Sequence, residues 1–270
     1  MFLCPVCRNP LDDGGKTRAC PNGHCYDRAA HGKYVNLLKT NRRGSAAPGD
    51  SPEMCRARTR FLEKGYYAVL RDALCDAVGR TPARMILDAG CGEGYYTSAV
   101  AETLRGNGST AKILGIDLSK TALRHAGKQC PEGEFAVASL FDLPLPDHSV
   151  DLILHLFAPM CAPEFRRVLR EGGTLITVRP GADHLWGLKR ALYEKTYPND
   201  EEQAEYPDFQ WMARSFAEDD ITIDDSEDIR ALYQMTPYAW KTAKESADRL
   251  LSMDTLTTKI SFVLDMYLAV

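Results

Sequence analysis

Ile86-Leu87-Asp88-Ala89-Gly90-Cys91-Gly92-Glu93-Gly94-Tyr95-Tyr96 is the stretch whose reading decides the fold. An apolar run ending in an acid passes into a G-x-G-x-G turn, and an amphipathic segment follows. This is the pattern of a strand, a tight turn and a helix. Glycine is required where the backbone turns sharply and where a ligand must touch main-chain atoms. A dinucleotide fingerprint, G-x-G-x-x-G, would need glycine where Tyr95 stands. The Lys-Ser/Thr pair of a phosphate-binding P-loop is also missing. What remains is D-x-G-C-G-x-G.

Working outward, residues 84–88, 112–117, 134–138, 150–155 and 174–178 read as strands. Helices are expected over 95–105, 120–128 and around 163–169. Strands alternating with helices imply a mostly parallel α/β sheet. Asp117, 23 residues beyond Gly94, ends the second of these strands, where a carboxylate can accept both hydroxyls of a ribose. Residues 51–78 carry apolar side chains at helical spacing, with Ser51 as a cap. Residues 182–250 read as mainly helical and acidic, and 255–268 as a late edge strand.

The N-terminal end reads differently. Cys4, Cys7, Cys20 and His24 follow C-x2-C-x12-C-x3-H, a zinc-ligand spacing. Cys25 is an alternative fourth ligand, with His24 preferred. So small a module has too little core to hold itself, so metal binding would contribute most of its folding free energy. Residues 40–50 are polar with Gly and Pro, and read as a linker. Cys55, Cys75, Cys130 and Cys161 read as small apolar residues.

The chain has 270 residues and a net charge of −4. Residues 1–60 hold 11 Lys+Arg against 5 Asp+Glu, whereas the remainder holds 22 against 32. A basic module on an acidic body suits a phosphate-contacting arm. Arg42, Arg43, Arg56, Arg58 and Arg60 are its candidate phosphate contacts. There is no signal-peptide pattern and no apolar run long enough to span a membrane. Nine cysteines without such a leader point to a reducing, cytoplasmic setting.

The D-x-G-C-G-x-G loop resembles the signature of class I S-adenosylmethionine-dependent methyltransferases. Leu143-Pro144-Leu145-Pro146-Asp147-His148-Ser149-Val150-Asp151 and Phe165-Arg166-Arg167-Val168-Leu169-Arg170-Glu171-Gly172-Gly173 resemble the family's later stretches. One departure is Ser139, where many such enzymes place an Asp for the adenine amino group. Together with Cys4-Pro5-Val6-Cys7, Gly32-Lys33-Tyr34-Val35-Asn36-Leu37, Pro48-Gly49-Asp50-Ser51 and Gln234-Met235-Thr236-Pro237, the chain resembles the RlmA-type 23S rRNA (guanine-N1)-methyltransferases.

That resemblance implies a Rossmann-like methyltransferase domain with a small N-terminal zinc ribbon. It divides the chain into a zinc-ribbon RNA-recognition module at 1–38, linker and helices at 39–83, and the catalytic domain at 84–270, with a helical insertion around 182–250. It implies S-adenosylmethionine and structural zinc as cofactors, a 23S rRNA hairpin as partner, no membrane association and a homodimer. Cofactor contacts carry over to Tyr67, Gly94, Tyr95 and His184, joining Gly90, Gly92 and Asp117 read from the loop and strand. Methylation at N1 needs the target guanine unpaired and its proton removed. His155 is the candidate acceptor, with an ordinary core role as its rival, and Phe157 is a candidate base-stacker. Trp186, Trp211 and Trp240 read as core, and Thr236-Pro237 as a helix start. Two other functions compete. One is a small-molecule methyltransferase with a purely structural ribbon, and the other a non-catalytic ribosome-binding protein on this scaffold.

Overall fold

The computed structural model describes residues 1–13, 15–29, 33–39 and 49–270. Most of the expected linker, with Arg42 and Arg43, and also Gly32 and Pro48, lie outside those residues. A two-stranded antiparallel ribbon opens the chain, β1 (Thr17–Ala19) against β2 (Cys25–Asp27). β3 (Tyr34–Asn36) then leaves the ribbon and pairs in parallel with the strand Glu134–Val137, so the end of the expected 1–38 module is built into the main sheet. Helices α1 (Pro52–Glu63) and α2 (Ala68–Gly79) follow. Ser51 caps α1 by accepting the Met54 N–H at 3.2 Å, with Pro52 in the first turn.

The alternating region comes next: β4 (Met85–Ala89), α3 (Tyr95–Gly106), β5 (Lys112–Asp117), α4 (Lys120–Gln129) and β6 (Glu134–Val137). β7 (Val150–Leu156), α5 (Ala162–Val168) and β8 (Leu169–Pro180) complete the parallel part. The chain then adds α6 (Trp186–Leu192), β9 (Phe209–Ile223), α7 (Ser226–Gln234), α8 (Tyr238–Lys241), α9 (Lys244–Leu251) and β10 (Leu256–Ala269). The eight-stranded sheet runs β3-β6-β5-β4-β7-β8-β10-β9, and its last two strands are antiparallel. The order reverses beside β4, which has β5 on one side and β7 on the other. Ligands bind outside the carboxyl ends of the strands at such a point.

The structure departs from three expectations. Strand β10 is not an edge strand, because it lies between β8 and β9. The 182–250 region holds a 15-residue strand, β9, among its helices. Its exposed residues fall on both faces, as at Glu218, Asp219 and Asp220, and so hide the strand signal, while pairing with β10 along nearly its whole length overrides the local polarity. Thr236 also differs. Its hydroxyl donates to Tyr233 O at 2.8 Å, closing α7 and leaving α8 without a side-chain cap.

Each central strand is buried on both faces. Ile86, Ile113, Leu152 and Leu154 face a core completed by Leu70, Leu74, Val100 and Leu123 of the helices. Leu87, Leu114, Ile153 and Leu175 face the other core, with Phe165 of α5 and Phe2 and Leu11 of the ribbon module. The ribbon is therefore part of the second core. Leu3 N–H donates to Pro144 O at 2.8 Å, and Arg8 donates to Leu143 O at 3.0 Å and Asp142 at 3.3 Å. Buried Arg18 bonds Glu134 at 2.9 Å, and the N-terminal amine lies 3.6 Å from the same carboxylate. Among the described residues, no helix is long and apolar enough to cross a membrane.

Candidate cofactor and metal sites

The glycine loop leaves β4 at the switch point. Gly90, Gly92 and Gly94 all have positive φ, at 90°, 54° and 86°. Two of them also need the missing Cβ. At Gly90 it would stand 2.7 Å from Ala158 Cβ, and at Gly94 2.7 Å from Ala126 Cα. Gly94 thus lets α3 start against α4, and Gly90 lets the loop approach the end of β7.

Asp117 ends β5 beside this turn. Its carboxylate accepts Gly92 N–H at 3.0 Å and Ser119 N–H at 2.7 Å, and burial raises its pKa. Asp88 is buried below the loop, accepts Thr97 Oγ1–H at 2.6 Å, and is pushed by burial up to about 7. Glu93, also raised to about 7 by burial, has an Oε2 without a hydrogen-bond partner. The Arg58 guanidinium stands 3.5 Å from that carboxylate and is bonded to Asp50. The sequence does not show Asp50, Arg58 and Glu93 as a group, because Glu93 lies 35 residues beyond Arg58. The acid inside the glycine loop was the available signal.

Tyr67 and His184 are distant in sequence yet meet in space. Tyr67 Oη lies 3.3 Å from His184 Nε2, and both rings pack on Phe262 with centroids 4.8 and 4.6 Å away. Ser261 N–H donates to His184 Nδ1 at 3.2 Å. Nδ1 is thus the acceptor, so the neutral ring carries its proton on Nε2 and donates to Tyr67. Burial, then Lys189, lowers the His184 pKa to about 3, so the ring stays neutral. Phe262 went unremarked in the sequence.

Phe157 follows β7, is half exposed, and has a φ of 54°. A bulky residue in the left-handed region is an outlier of the kind that concentrates at functional sites. Its ring lies 5.9 Å from Phe262. His155 is not brought into this group. It is buried on the α5 face, its ring 5.2 Å from Phe165, and burial lowers its pKa. Tyr95 begins α3, and its buried hydroxyl has no partner. Ser139 closes its own turn by accepting Phe141 N–H at 3.1 Å.

The four predicted metal ligands converge, their donor atoms all within 4.8 Å of one another. Cys7 Sγ and Cys20 Sγ are 3.6 Å apart, and His24 Nδ1 lies 3.5 Å from Cys4 Sγ and 3.3 Å from Cys20 Sγ. Tetrahedral zinc with two sulfur or mixed ligands sets edges of about 3.5–3.8 Å, so the set fits zinc. Cys25 is exposed and turns its thiol to Gly23 O, which excludes it from the cluster. Around the ligands, Tyr26 Oη lies 3.1 Å from Cys4 Sγ, and Asn9 donates to Cys7 Sγ at 3.5 Å. The Asn9 backbone amide chiefly lowers the Cys7 thiol to about 6, favouring thiolate.

Of the tryptophans expected in the core, Trp240 is 71% exposed and Trp211 39%. Arg56, Arg58 and Arg60 are each held by carboxylates, of Glu53, of Asp50 and Glu93, and of Asp225 and Asp228 respectively.

Comparison with known proteins gives a consistent picture. Residues 2–46 match the family described as "RlmA, N-terminal", and residues 86–173 match "Methyltransferase domain". The chain is 40% identical over 194 residues to "23S rRNA (guanine(748)-N(1))-methyltransferase" of Streptomyces fradiae, a match covering 70% of this chain and 66% of that relative. The chain thus spans just under two thirds of that protein's length. It is 32% identical over 279 residues to "Putative 23S rRNA (guanine-N(1)-)-methyltransferase YxjB" of Bacillus subtilis (strain 168), covering 98% of this chain and 97% of the relative. Among solved structures, a "putative methyltransferase" from Bacillus halodurans C-125 superposes with a TM-score of 0.50 at 15% identity, covering 73% of this chain and 97% of that one, which speaks for the fold alone.

Proposed function

The chain belongs to the RlmA-type family of 23S rRNA (guanine-N1)-methyltransferases, and from that premise we propose that it transfers the methyl group of S-adenosylmethionine to N1 of an unpaired guanine in a 23S rRNA hairpin, in the cytoplasm. The observation that carries this reading is the docking of the zinc-ligand module. Leu3 and Arg8 fasten it to residues 142–144, which follow the carboxyl end of β6, two strands from the glycine loop. A reading module held against the rim of a cofactor pocket suits a large, folded substrate.

S-adenosylmethionine, when bound, supplies an already electrophilic methyl group, so alignment is the protein's main task. The backbone of Gly90, Gly92 and Gly94 would line the cofactor, with Asp117 taking the ribose hydroxyls. At Gly92, where an added Cβ would meet nothing nearer than Arg58 at 3.5 Å, the positive-φ loop leaves room for a ligand. Tyr95 would lie at the loop's end. Tyr67, fixed by His184 as donor, would hold its hydroxyl toward the cofactor or the base. Phe157 would stack on the extruded guanine. His184 is a donor held neutral and would not take the N1 proton. With Ser139 turned onto its own loop, backbone groups and apolar walls would recognise adenine.

Primer extension on 23S rRNA from cells with and without the gene tests the reading. A stop at one guanine only in cells with the gene is the expected result. Identical stops in both, with S-adenosylmethionine binding intact by calorimetry, would instead favour a small-molecule substrate. Loss of both would leave a scaffold without catalysis.

A further inference from the structure

Helix α4 carries Lys120, Arg124 and Lys128, all exposed, with His125 and no acidic residue in its ten positions. The spacing of four places the three cations on one stripe, about 6 Å apart along the axis. Among the described residues none of the three forms an ion pair. Local electrostatics works against the arrangement. Like charges four apart on a helix repel, and Lys120 stands in the first turn, at the positive end of the helix dipole. A helix that breaks these rules without internal compensation is a candidate for external contact.

The position of the stripe is the second observation. α4 begins directly after Asp117 and Ser119, which caps it, so Lys120 lies at the cofactor end of the sheet. Further along, Gly127 meets the ribbon's exit. A Cβ there would stand 2.5 Å from Lys33 Cβ, so the missing side chain lets Lys33 lie against α4 beside Lys128. Lys33 immediately precedes β3, the edge strand that joins the ribbon to the sheet. The ribbon covers one face of this edge and α4 the other. The arginines of α1, by contrast, are held by carboxylates of the protein itself.

We propose that Lys33, Lys128, Arg124 and Lys120 form a track for the phosphates of the substrate RNA, running from the zinc ribbon across the sheet edge to the cofactor end. It rests on the rRNA-methyltransferase reading and adds to it the face of the catalytic domain that carries the RNA backbone. Contacts of this kind position an RNA without reading its bases. They therefore act on affinity and its salt dependence for any sequence, leaving the choice of guanine to the ribbon and the pocket.

The test measures binding of a 23S rRNA transcript containing the guanine found by primer extension, by fluorescence anisotropy over a range of salt. The proteins are the wild type, the triple variant Lys120→Gln/Arg124→Gln/Lys128→Gln, and a control with Lys112→Gln, Lys241→Gln and Lys244→Gln, exposed cations elsewhere. The track predicts that the triple variant loses about two from the slope of log affinity against log salt. At moderate salt its affinity should fall at least ~10-fold, with the control near wild type. S-adenosylmethionine affinity by calorimetry should stay within about two-fold in all three, and the triple variant should melt no lower than wild type, because its repulsion is relieved. A slope equal to wild type, or an equal loss in the control, overturns the track. A wild type that does not bind the transcript at any salt overturns the rRNA reading itself.

Discussion

The described residues of 1–38 bury only a few large apolar side chains, among them Phe2, Leu3 and Leu11, around four metal-ligand candidates. From β4 to β8, by contrast, whole strands are buried on both faces. The ribbon depends on a few donor atoms at fixed positions, and the sheet on many interchangeable apolar contacts. Loss of one ligand should therefore remove the ribbon's shape at once, whereas the sheet should absorb a single change as a local cost. On the proposed function, the same contrast would separate recognition from chemistry.

The sharpest way to break it is Cys4→Ser with Cys7→Ser. Structural zinc in such modules is worth about 10–16 kcal/mol at neutral pH, far more than the ribbon's own core can replace. We expect zinc content by metal analysis to fall from one per chain to none, and rRNA methylation to fall at least ~100-fold. The affinity for S-adenosylmethionine should change by less than about three-fold. Unchanged methylation in a zinc-free protein would remove the ribbon from recognition.

Gly94→Ala asks the converse question of the sheet. The new Cβ meets Ala126 at 2.7 Å, on a backbone with φ of 86°. Strain and overpacking together predict a loss of about 2–5 kcal/mol in unfolding free energy. Cofactor affinity should fall by more than ten-fold, with zinc retained. Equal losses of zinc and cofactor would mean that the two regions fold as one unit.

How much of this was legible follows the same division. Cys4, Cys7, Cys20 and His24 stood out because ligand spacing is local, and the three-dimensional cluster then chose His24 over Cys25. Gly90, Gly92, Gly94 and Asp117 stood out because a strand, a turn and the end of the next strand are also local. Neither the Asp50–Arg58–Glu93 group nor the meeting of Tyr67, His184 and Phe262 could be read that way. Glu93 is remote from Asp50 and Arg58, and Tyr67, His184 and Phe262 are remote from one another, so only tertiary packing joins them. Strand β9 is illegible for a related reason, since its exposed residues run consecutively without strand periodicity and its partner β10 begins 33 residues after β9 ends.

A smaller effect comes from Glu93, which burial raises to about 7, against about 4.3 in an unfolded chain. Between those values the folded protein holds more protons than the unfolded one. Stability therefore falls as pH rises through about 4.3 to 7. Glu93→Gln removes this part of the dependence. Denaturant unfolding should show the variant gaining about 3 kcal/mol on wild type between pH 4 and pH 8. Asp88, raised for the same reason, keeps its own share in both proteins. A constant difference across pH would mean that Arg58 holds Glu93 ionised throughout, making the pair a fixed charge beside the cofactor.

The smallest expected effect concerns His155. Along β7, Leu152, Leu154 and Leu156 join the core that contains Tyr67, while Ile153 joins the one that contains Phe165. The alternation of a strand places His155 with Ile153, and its ring indeed packs on Phe165. From that face it cannot reach a base lying between Phe157 and Tyr67 without a turn of the strand. A phenyl ring fits the same packing and removes the titrating group. His155→Phe should therefore leave kcat for rRNA methylation within about three-fold and the pH–rate profile unchanged. Loss of the limb on the acid side, with the fold intact, would assign the N1 proton to His155. That result would also require the loop after β7 to rearrange when RNA binds, because the unpaired Nε2 is buried on the α5 side.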